Sequence, residues 1–326
     1  MRRVCLKKTM SRLTELLDEA VTVAIIGHIR PDGDDIGSCL GTYNYIIENY
    51  PDKKKVRVFL ESKISKFNFM HGYDDICHKM DKDDRDYDLV ICQDASTVDR
   101  LGIFSELLKT AKHSLCIDHH RTNDGFCEIN DIRPNTSSTS EVVFELLDEE
   151  KISKNTAECL YTGIVHDTGV FQYTCMSPRT MEIAGRLLGK GVDPEFIVAY
   201  TFYQKTFNQI KAWGYAFQNA KLACDGKIIY SVFTWKDMKK FGISSIELDG
   251  ISSELRLVDT ADFAMLIYQD GQNSFKLSMR SNDKVDCSVI AQKHGGGGHL
   301  KASGCDMEGD PEEIAAVIIN EVREQL

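Results

Sequence analysis

Hydrophobic residues in the first half of the chain form short continuous runs, separated by segments with helical spacing. Four runs rich in aliphatic and β-branched residues predict strands, at 21–27, 55–60, 88–94 and 114–118. Between them, apolar residues recur every three or four positions, which predicts helices over 36–49 and 101–111. Buried strands that alternate with helices are typical of a parallel sheet covered on both faces. The first half therefore predicts an α/β domain with a mostly parallel sheet flanked by helices.

Further helical segments follow this alternating region. They are predicted at 142–147, 156–165 and 178–188, and an amphipathic helix is predicted before the first strand, at 10–20. The run Ser138-Thr139-Ser140-Glu141 predicts a capping box, and Gly189 and Gly191 end the third helix. Residues 194–220 predict one long helix, or a broken one, which we interpret as a connector.

A different pattern begins near residue 223. Strands are predicted at 227–234, 263–268 and 274–280, and Asp270-Gly271 between the last two is a hairpin signal. Helices are predicted at 289–293 and 311–324. We therefore expect three parts: an N-terminal domain over 1–192, a helical connector over 193–222, and a smaller C-terminal α/β domain over 223–326.

Composition narrows the class of protein. The 326 residues are 42% hydrophobic and 27% charged, as in a globular protein, and the formal net charge is −11. This acidic balance argues against a partner such as long nucleic acid, although it permits a small phosphorylated substrate. The 11 cysteines form no C-x-x-C pair, and no run approaches the about 18 apolar residues of a membrane span. We expect reduced thiols, no membrane partner and a cytoplasmic location.

The most informative stretch is residues 26–35, IGHIRPDGDD, which follows the first predicted strand. It places His28, Asp32 and Asp34 in one short loop that Pro31 and Gly33 bend. One imidazole and two carboxylates, with no thiol nearby, suit Mn²⁺ or Mg²⁺. The alternative is a solvated turn, because Pro-Asp-Gly is also common in loops.

Other polar residues follow later elements of the same domain. Asp94 ends a strand and could bridge two cations, or could simply cap a turn. In Asp118-His119-His120, one histidine can bind a metal, the other can face a substrate, and the aspartate can orient a ring; the alternative is an exposed histidine pair. Asp167 could simply belong to the C-terminal turn of a helix, but it is assigned as a ligand because a dinuclear site needs more carboxylates than the other motifs supply. His28, Asp94 and Asp118 all lie at strand ends, where ligands gather in open parallel sheets.

The remaining histidines of this domain have no evident chemical task. His71, His78, His113 and His166 are interpreted as structural or surface residues.

A glycine string marks the C-terminal domain. Gly295, Gly296, Gly297 and Gly298 precede His299, and such a string can bring backbone N–H groups close to a phosphate. A flexible linker is the alternative, but the string lies inside a folded pattern, so we favour an anion-binding loop. Arg280, at the end of a predicted strand, could clamp a phosphate with two hydrogen bonds, or could be an ordinary surface arginine.

Together these motifs resemble the DHH phosphoesterases. HIRPDGD, the Asp of CQD, DHH and DTG match the four motifs of that family in order, and the arginine with GGGHLKASG is similar to the accompanying DHHA1 domain. Within the superfamily, the length and second domain most resemble the nanoRNases, which are bifunctional oligoribonucleases and pAp phosphatases. The resemblance therefore implies hydrolysis of short oligoribonucleotides or linear dinucleotides (pApA, pGpG) and of the 3′-phosphate of pAp.

The resemblance also implies roles for individual residues. Two Mn²⁺ ions, with Mg²⁺ or Co²⁺ as alternatives, would be shared between two ligand sets: His28, Asp32 and Asp94 for one, and Asp34, Asp94, His119 and Asp167 for the other. Asp118 would support the site and His120 would contact the scissile phosphate and assist protonation of the leaving group. The substrate's terminal phosphate or nucleotide would be held by Arg280, Gly296, Gly297, Gly298, His299 and Ser303. A homodimer is also implied.

Two other functions stay open at this point. A pyrophosphatase or exopolyphosphatase could use the same metals, and release of phosphate from pyrophosphate would distinguish it. A dinucleotide sensor without hydrolytic activity would bind tightly and show no turnover.

Overall fold

The computed structural model describes residues 12–173 and 175–326, and these form two compact units, the first ending at Gln204 and the second beginning at Lys205. The division falls inside the segment predicted as a connector, 193–222. The first two residues of the predicted helix 10–20, and also Cys5, lie outside the described residues. Within the described ranges, every helix is too short or too polar to span a bilayer.

The first unit is built on a six-stranded parallel sheet with strand order β3-β2-β1-β4-β5-β6. In the chain these strands are β1 Thr22–Ile26, β2 Lys55–Phe59, β3 Ile76–Cys77, β4 Leu89–Gln93, β5 His113–Asp118 and β6 Ile129–Ile132. Five helices and one short helix surround it: α1 Arg12–Glu19, α2 Gly33–Asn49, α3 Thr139–Leu146, α4 Lys154–Asp167, α5 Pro178–Leu188 and α6 Pro194–Val198. The predicted parallel sheet flanked by helices is confirmed.

Alternate residues of the central strands face two separate cores. Val23 and Ile25 of β1 pack into the core that contains α1 to α5, while Ala24 and Ile26 pack into the opposite core with Phe104. Because both faces are covered, the strands read as continuous apolar runs, which is why the four long strands were predictable from the sequence. The edge strands β3 and β6 were missed: β3 has two residues, and β6 contains Asn130 and Asp131, which are uncommon in strands.

Two local predictions in this unit are corrected. The segment predicted as a helix at 101–111 is a 3₁₀ segment, Val98–Lys109, interrupted at Gly102, whose φ of 57° cannot continue a right-handed helix. The predicted capping box is half right. Ser138 caps α3 by accepting the Glu141 N–H at 3.1 Å, but the Glu141 carboxylate accepts from the Ser137 N–H and hydroxyl and from the Thr180 hydroxyl.

The second unit contains a mixed six-stranded sheet with order β11-β12-β10-β9-β8-β7. Its strands are β7 Lys221–Ala223, β8 Ile228–Phe233, β9 Phe263–Gln269, β10 Ser274–Ser281, β11 Gly297–His299 and β12 Ala302–Glu308. The helices are α7 Phe207–Gln218, α8 Trp235–Phe241, α9 Ile251–Leu255, α10 Cys287–Lys293 and α11 Pro311–Arg323. Strands β8 and β9 are parallel and the other pairs are antiparallel. The predicted smaller α/β domain and its β9–β10 hairpin are therefore present.

The helical region between the two sheets is broken. Helix α6 continues into a π-helical turn, Ala199–Tyr203, and α7 starts only after a new cap at Thr206, whose side chain accepts the Gln209 N–H. The ten described cysteines are free thiols.

Candidate metal centre

The chemistry-bearing side chains of the first unit lie beyond the carboxyl ends of its central strands. His28 follows β1, Asp94 follows β4, and Asp118 ends β5. Because these strands are parallel neighbours, their ends meet at one edge of the sheet. Asp32 caps the start of α2 and Asp167 ends α4, and both side chains reach the same edge. The predicted convergence on one rim is therefore present.

The first group of possible ligands contains His28, Asp32 and Asp94. His28 Nε2 lies 3.7 Å from Asp32 Oδ2 and 3.6 Å from Asp94 Oδ2. The other ring nitrogen, Nδ1, lies 2.8 Å from the carbonyl oxygen of Ile29, which leaves Nε2 directed at the carboxylates. Asp32 uses Oδ1 to cap α2, accepting the N–H groups of Asp34 and Asp35, and so offers its second oxygen to the group.

The second group contains Asp34, His119 and Asp167. His119 Nε2 lies 3.3 Å from Asp167 Oδ2, and one ligand atom from each of the three residues falls within 4.8 Å of the others. Asp94 connects the two groups. Its Oδ2 faces His28, while its Oδ1 lies 3.6 Å from His119 Nε2. Asp94 is 3% exposed, and its φ of 55° is tolerated best by Asn, Asp and Gly, so the backbone conformation itself limits which residues fit here.

His120 pairs with Asp118, and it also lies with Asp94 and His119 in a third group of possible ligands. Asp118 Oδ1 lies 2.7 Å from His120 Nδ1, and Asp118 Oδ2 accepts the Asn123 amide at 2.7 Å. A carboxylate only accepts hydrogen bonds, so His120 Nδ1 is the donor and its Nε2 is left for other contacts. Burial works against a charged imidazole, but the hydrogen bond that His120 donates to Asp118 and the charge of Asp94 outweigh it and raise the pKa of His120.

Two residues that the sequence analysis did not assign hold these side chains. Asn123 donates to Asp118 and also to the carbonyl oxygen of Ala95 at 3.0 Å. Thr139, the first residue of α3, donates its N–H to Asp34 Oδ2 at 2.6 Å and its hydroxyl to Asp94 Oδ1 at 2.9 Å. Thr139 lies in the run quoted above for its capping pattern, whereas Asn123 lies three residues after the Asp118-His119-His120 motif and belongs to none of the quoted motifs. Thr139 contacts distant segments of the chain, and Asn123 does so through Ala95; no local sequence signal reports such contacts.

The excess of negative charge fits a divalent cation. Burial and the neighbouring charge of Asp94 raise the pKa of Asp34 to about 7, and burial with the charges of Asp34 and Asp94 raises the pKa of Asp167 well above its usual value. At His28 burial opposes the charge, but Asp35, Asp32 and Asp94 outweigh it and raise the pKa to about 12. The clustered carboxylates therefore stabilise a positive charge, either a proton or a cation, between their oxygen atoms. Carboxylate oxygens and imidazole nitrogens, without a thiolate, suit Mn²⁺, Mg²⁺ or a similar cation.

His166 has a structural role in this region. Its ring stacks on Phe202 at 4.3 Å and meets Phe67 edge-on at 4.9 Å. It also lies against Gly33, where a Cβ atom would come within 2.2 Å of the imidazole. Burial lowers the pKa of His166 to about 3, so the ring is neutral at ordinary pH. The other three histidines bond elsewhere: His71 to Asn44, His78 to the Leu60 carbonyl, and His113 to Glu128.

In the second unit, two of the predicted substrate-binding residues share a row of the sheet. Arg280 of β10 pairs with Ala302 of β12, which pairs with His299 of β11. Residues directly opposite one another point to the same face, and the small Ala302 leaves space between the two larger side chains. Ser303 belongs to the next row and its hydroxyl donates to the carbonyl oxygen of Cys287 at 2.6 Å, so its side chain does not join this face.

The glycine string differs from the predicted loop. Gly297 and Gly298 lie with His299 in the edge strand β11. A Cβ atom at Gly296 would come within 2.1 Å of the Gly304 carbonyl oxygen, and one at Gly298 within 2.5 Å of the Ala302 carbonyl oxygen. Close approach to β12 therefore requires glycine at these two positions. Glycine is depleted in strands, so a strand as rich in glycine as β11 is not recognised from its sequence.

Comparison with known proteins adds a family context. Residues 22–164 match the DHH family, N-terminal domain, and residues 225–326 match the DHHA1 domain. The bifunctional oligoribonuclease and PAP phosphatase NrnA of Bacillus subtilis is 28% identical over 308 residues, which cover 93% of each chain. A probable protein of the same name from Streptococcus mutans is 29% identical over 290 residues, covering 87% of this chain and 89% of the relative.

A solved structure resembles the whole chain. The crystal structure of an exopolyphosphatase-related protein from Bacteroides fragilis matches with a TM-score of 0.89 and 29% identity, covering 96% of this chain and 94% of that one.

Proposed function

Because the chain belongs to the DHH family and carries a DHHA1 domain after it, we propose that it is a metal-dependent phosphoesterase of short nucleotides. Its substrates would be short oligoribonucleotides and linear dinucleotides such as pApA and pGpG, cleaved to mononucleotides, and pAp, converted to AMP. The observation that carries the proposal is the position of Asp94, which joins two groups of imidazole and carboxylate ligands at one rim. The names of the two NrnA relatives support the substrate class.

The metal ligands are assigned as the resemblance implied. His28, Asp32 and Asp94 would hold one cation, and Asp34, Asp94, His119 and Asp167 the other, with Mn²⁺ proposed and Mg²⁺ or Co²⁺ as alternatives. A bound pair of divalent cations supplies Lewis-acid chemistry, which acidifies water and offsets negative charge on a phosphoryl group. We propose that the phosphorus of a bound substrate would lie beside His120.

His120 is proposed to handle the proton of the leaving group. Asp118 holds its Nδ1, so that Nε2 faces away from the carboxylate and can donate to the departing 3′ oxygen. The raised pKa of His120 keeps more of the protonated form at neutral pH. Asp118 therefore acts through His120, by fixing its orientation and its charge.

In the second unit, Arg280 and His299 are proposed to bind a terminal phosphate or nucleotide of the substrate. They share one face of the sheet with only Ala302 between them, and a guanidinium can bind a phosphate through two hydrogen bonds. The backbone of Gly296, Gly297 and Gly298 is assigned to the same task. The Ser303 hydroxyl already donates to Cys287, so we leave it out of this set.

The proposal is tested by turnover assays with added Mn²⁺ on pAp, pApA, pGpG, RNA of two to about ten nucleotides, and pyrophosphate. We expect nucleotide release from the short RNAs and dinucleotides and phosphate release from pAp. Phosphate release from pyrophosphate alone would instead support a pyrophosphatase, and the exopolyphosphatase-related structural relative makes inorganic polyphosphate a useful addition. Tight dinucleotide binding without any turnover would support a sensor.

A matched pair of variants tests the shared carboxylate. Asp94→Asn keeps the side-chain shape and tolerates the positive φ, so the fold should persist while turnover is lost. Asp99→Asn makes the same chemical change at an exposed position a few residues away and should leave turnover unchanged. Wild-type activity in Asp94→Asn would refute the bridging assignment.

A further inference from the structure

We infer that Thr139 is a positioning residue of the metal centre. It sets the orientation of Asp94 and thereby the affinity for the cation on the His119 side. The inference rests on the proposed function, because it takes Asp94 as the carboxylate shared by two cations. Thr139 is fully buried at the first position of α3. It contacts two assigned ligands through two different groups, its backbone N–H and its hydroxyl.

The hydroxyl of Thr139 is free for this task because other groups cap the helix. Ser138 supplies the side-chain cap of α3 by accepting the Glu141 N–H at 3.1 Å. The N–H groups of Thr139 and Ser140 donate to Asp34, at 2.6 Å and 3.0 Å. The start of α3 thus holds Asp34 by its backbone, and the Thr139 side chain is left to hold Asp94.

The contact with Asp94 decides which oxygen faces which group. Thr139 Oγ1 lies 2.9 Å from Asp94 Oδ1, the oxygen nearest His119, while Oδ2 faces His28. Rotation of an aspartate about its last side-chain bond is soft, so an isolated carboxylate would sample many orientations. A carboxylate only accepts, so the Thr139 hydroxyl must donate and favours one of them.

The consequence is an asymmetric effect on the two cations. Removing the hydroxyl withdraws a partner from Oδ1 and leaves the backbone contact to Asp34 in place. Loss of a partner that orients a ligand commonly costs about 10- to 100-fold in metal affinity or activity. We therefore expect weaker binding at the His119 side and little change at the His28 side.

The test compares Thr139→Val, which keeps the shape and loses the hydroxyl, with Thr139→Ser, which keeps the hydroxyl. Mn²⁺ binding to the full chain is followed by the electron paramagnetic resonance signal of free Mn²⁺, and kcat and KM are measured for pApA. Thr201→Val is the matched control, because its buried hydroxyl donates to the Ile197 carbonyl oxygen. Melting temperatures report whether each variant is folded.

We expect wild type, Thr139→Ser and Thr201→Val to bind two Mn²⁺ with similar affinities. Thr139→Val should bind one Mn²⁺ normally and the other about 10- to 100-fold more weakly, with the loss appearing in kcat at fixed Mn²⁺. If Thr139→Val does not fold, Thr139→Ala removes the same hydroxyl without a bulky methyl pair.

Two outcomes would overturn the inference, and they can be told apart. If wild type binds two Mn²⁺ and a folded variant without the hydroxyl binds them equally well, the positioning role is wrong and the proposed function stands. If wild type binds no Mn²⁺, the metal centre itself is wrong and the inference falls with it.

Discussion

Replacing Asp118 with asparagine should disable His120 while leaving its size and surroundings almost unchanged. Asp118 accepts two hydrogen bonds, from His120 and from Asn123, each at 2.7 Å. An amide has one accepting and one donating end, so it can match only one of these donors. Asn123 cannot turn to help, because its amide also donates to the Ala95 carbonyl and its oxygen accepts the Gly125 N–H at 2.8 Å.

The magnitude follows from this conflict. Leaving a buried donor without an acceptor costs about 1–3 kcal/mol, so Asp118→Asn should lower the free energy of unfolding by that order. If the amide presents its NH₂ to His120, the ring must take the other tautomer. General acid–base catalysis contributes about 10²–10⁴-fold, and we expect most of that contribution to kcat to be lost.

The pH dependence gives a second readout. The carboxylate of Asp118 helps to raise the pKa of His120, so the pKa should fall in the variant. A protonated general acid loses its proton as the pH rises through its pKa, so the alkaline limb of kcat should move to lower pH. The assays are kcat against pH with pApA and an NMR titration of His120 in metal-free protein.

Asp124 is exposed and lies close to Asp118 in the chain, so Asp124→Asn is the matched control. Its stability, kcat and pH profile should match those of the wild type. A folded Asp118→Asn protein with near wild-type kcat and an unchanged His120 titration would refute this reasoning.

Two further predictions concern packing and charge. Gly33→Ala should lower the free energy of unfolding by about 1–3 kcal/mol, because the new Cβ would lie 2.2 Å from the His166 ring. Gly185→Ala in α5 should raise the free energy of unfolding by about 0.4–1 kcal/mol, because its Cβ meets no atom within 4 Å. Urea denaturation measures both changes. Burial opposes ionisation of Asp84, but Lys55 and Arg57, with other donors, outweigh burial and lower the pKa of Asp84. The ionised carboxylate therefore stabilises the fold at pH values above the usual pKa of about 4. This stabilisation is lost as the pH falls through the lowered pKa. Asp84→Asn should therefore cost about 1–3 kcal/mol at pH 7, discounted for the partial exposure of both cations, and progressively less below about pH 4; an equal cost at pH 7 and pH 3 in urea denaturation would contradict the assignment.

Much of the first unit was predictable because its strands can be recognised from short segments of the sequence. The strands around His28, Asp94 and Asp118 are buried on both faces, so they appear as apolar runs, and parallel neighbours bring their ends together. The convergence of the motifs on one edge follows from that arrangement alone.

What could not be predicted depends on contacts between distant segments. Thr139 reaches Asp34 and Asp94 across 105 and 45 positions of the chain, so its spacing carries no signal. The Gly297 strand forms because a backbone partner approaches closely, although glycine disfavours strands. The segment predicted as an α-helix consists of 3₁₀ turns interrupted at Gly102. Hydrophobic spacing shows which face of a segment is buried, but it does not report the left-handed φ of one glycine, so the interruption was missed.

The proposed metal centre depends on Asp94 being shared by two bound cations. Anomalous diffraction from crystals soaked in Mn²⁺ tests it most directly. We expect two peaks per chain, one between His28 and Asp94 and the other between Asp94 and His119. Absence of Mn²⁺ from this rim, or a single peak that does not contact Asp94, would contradict it.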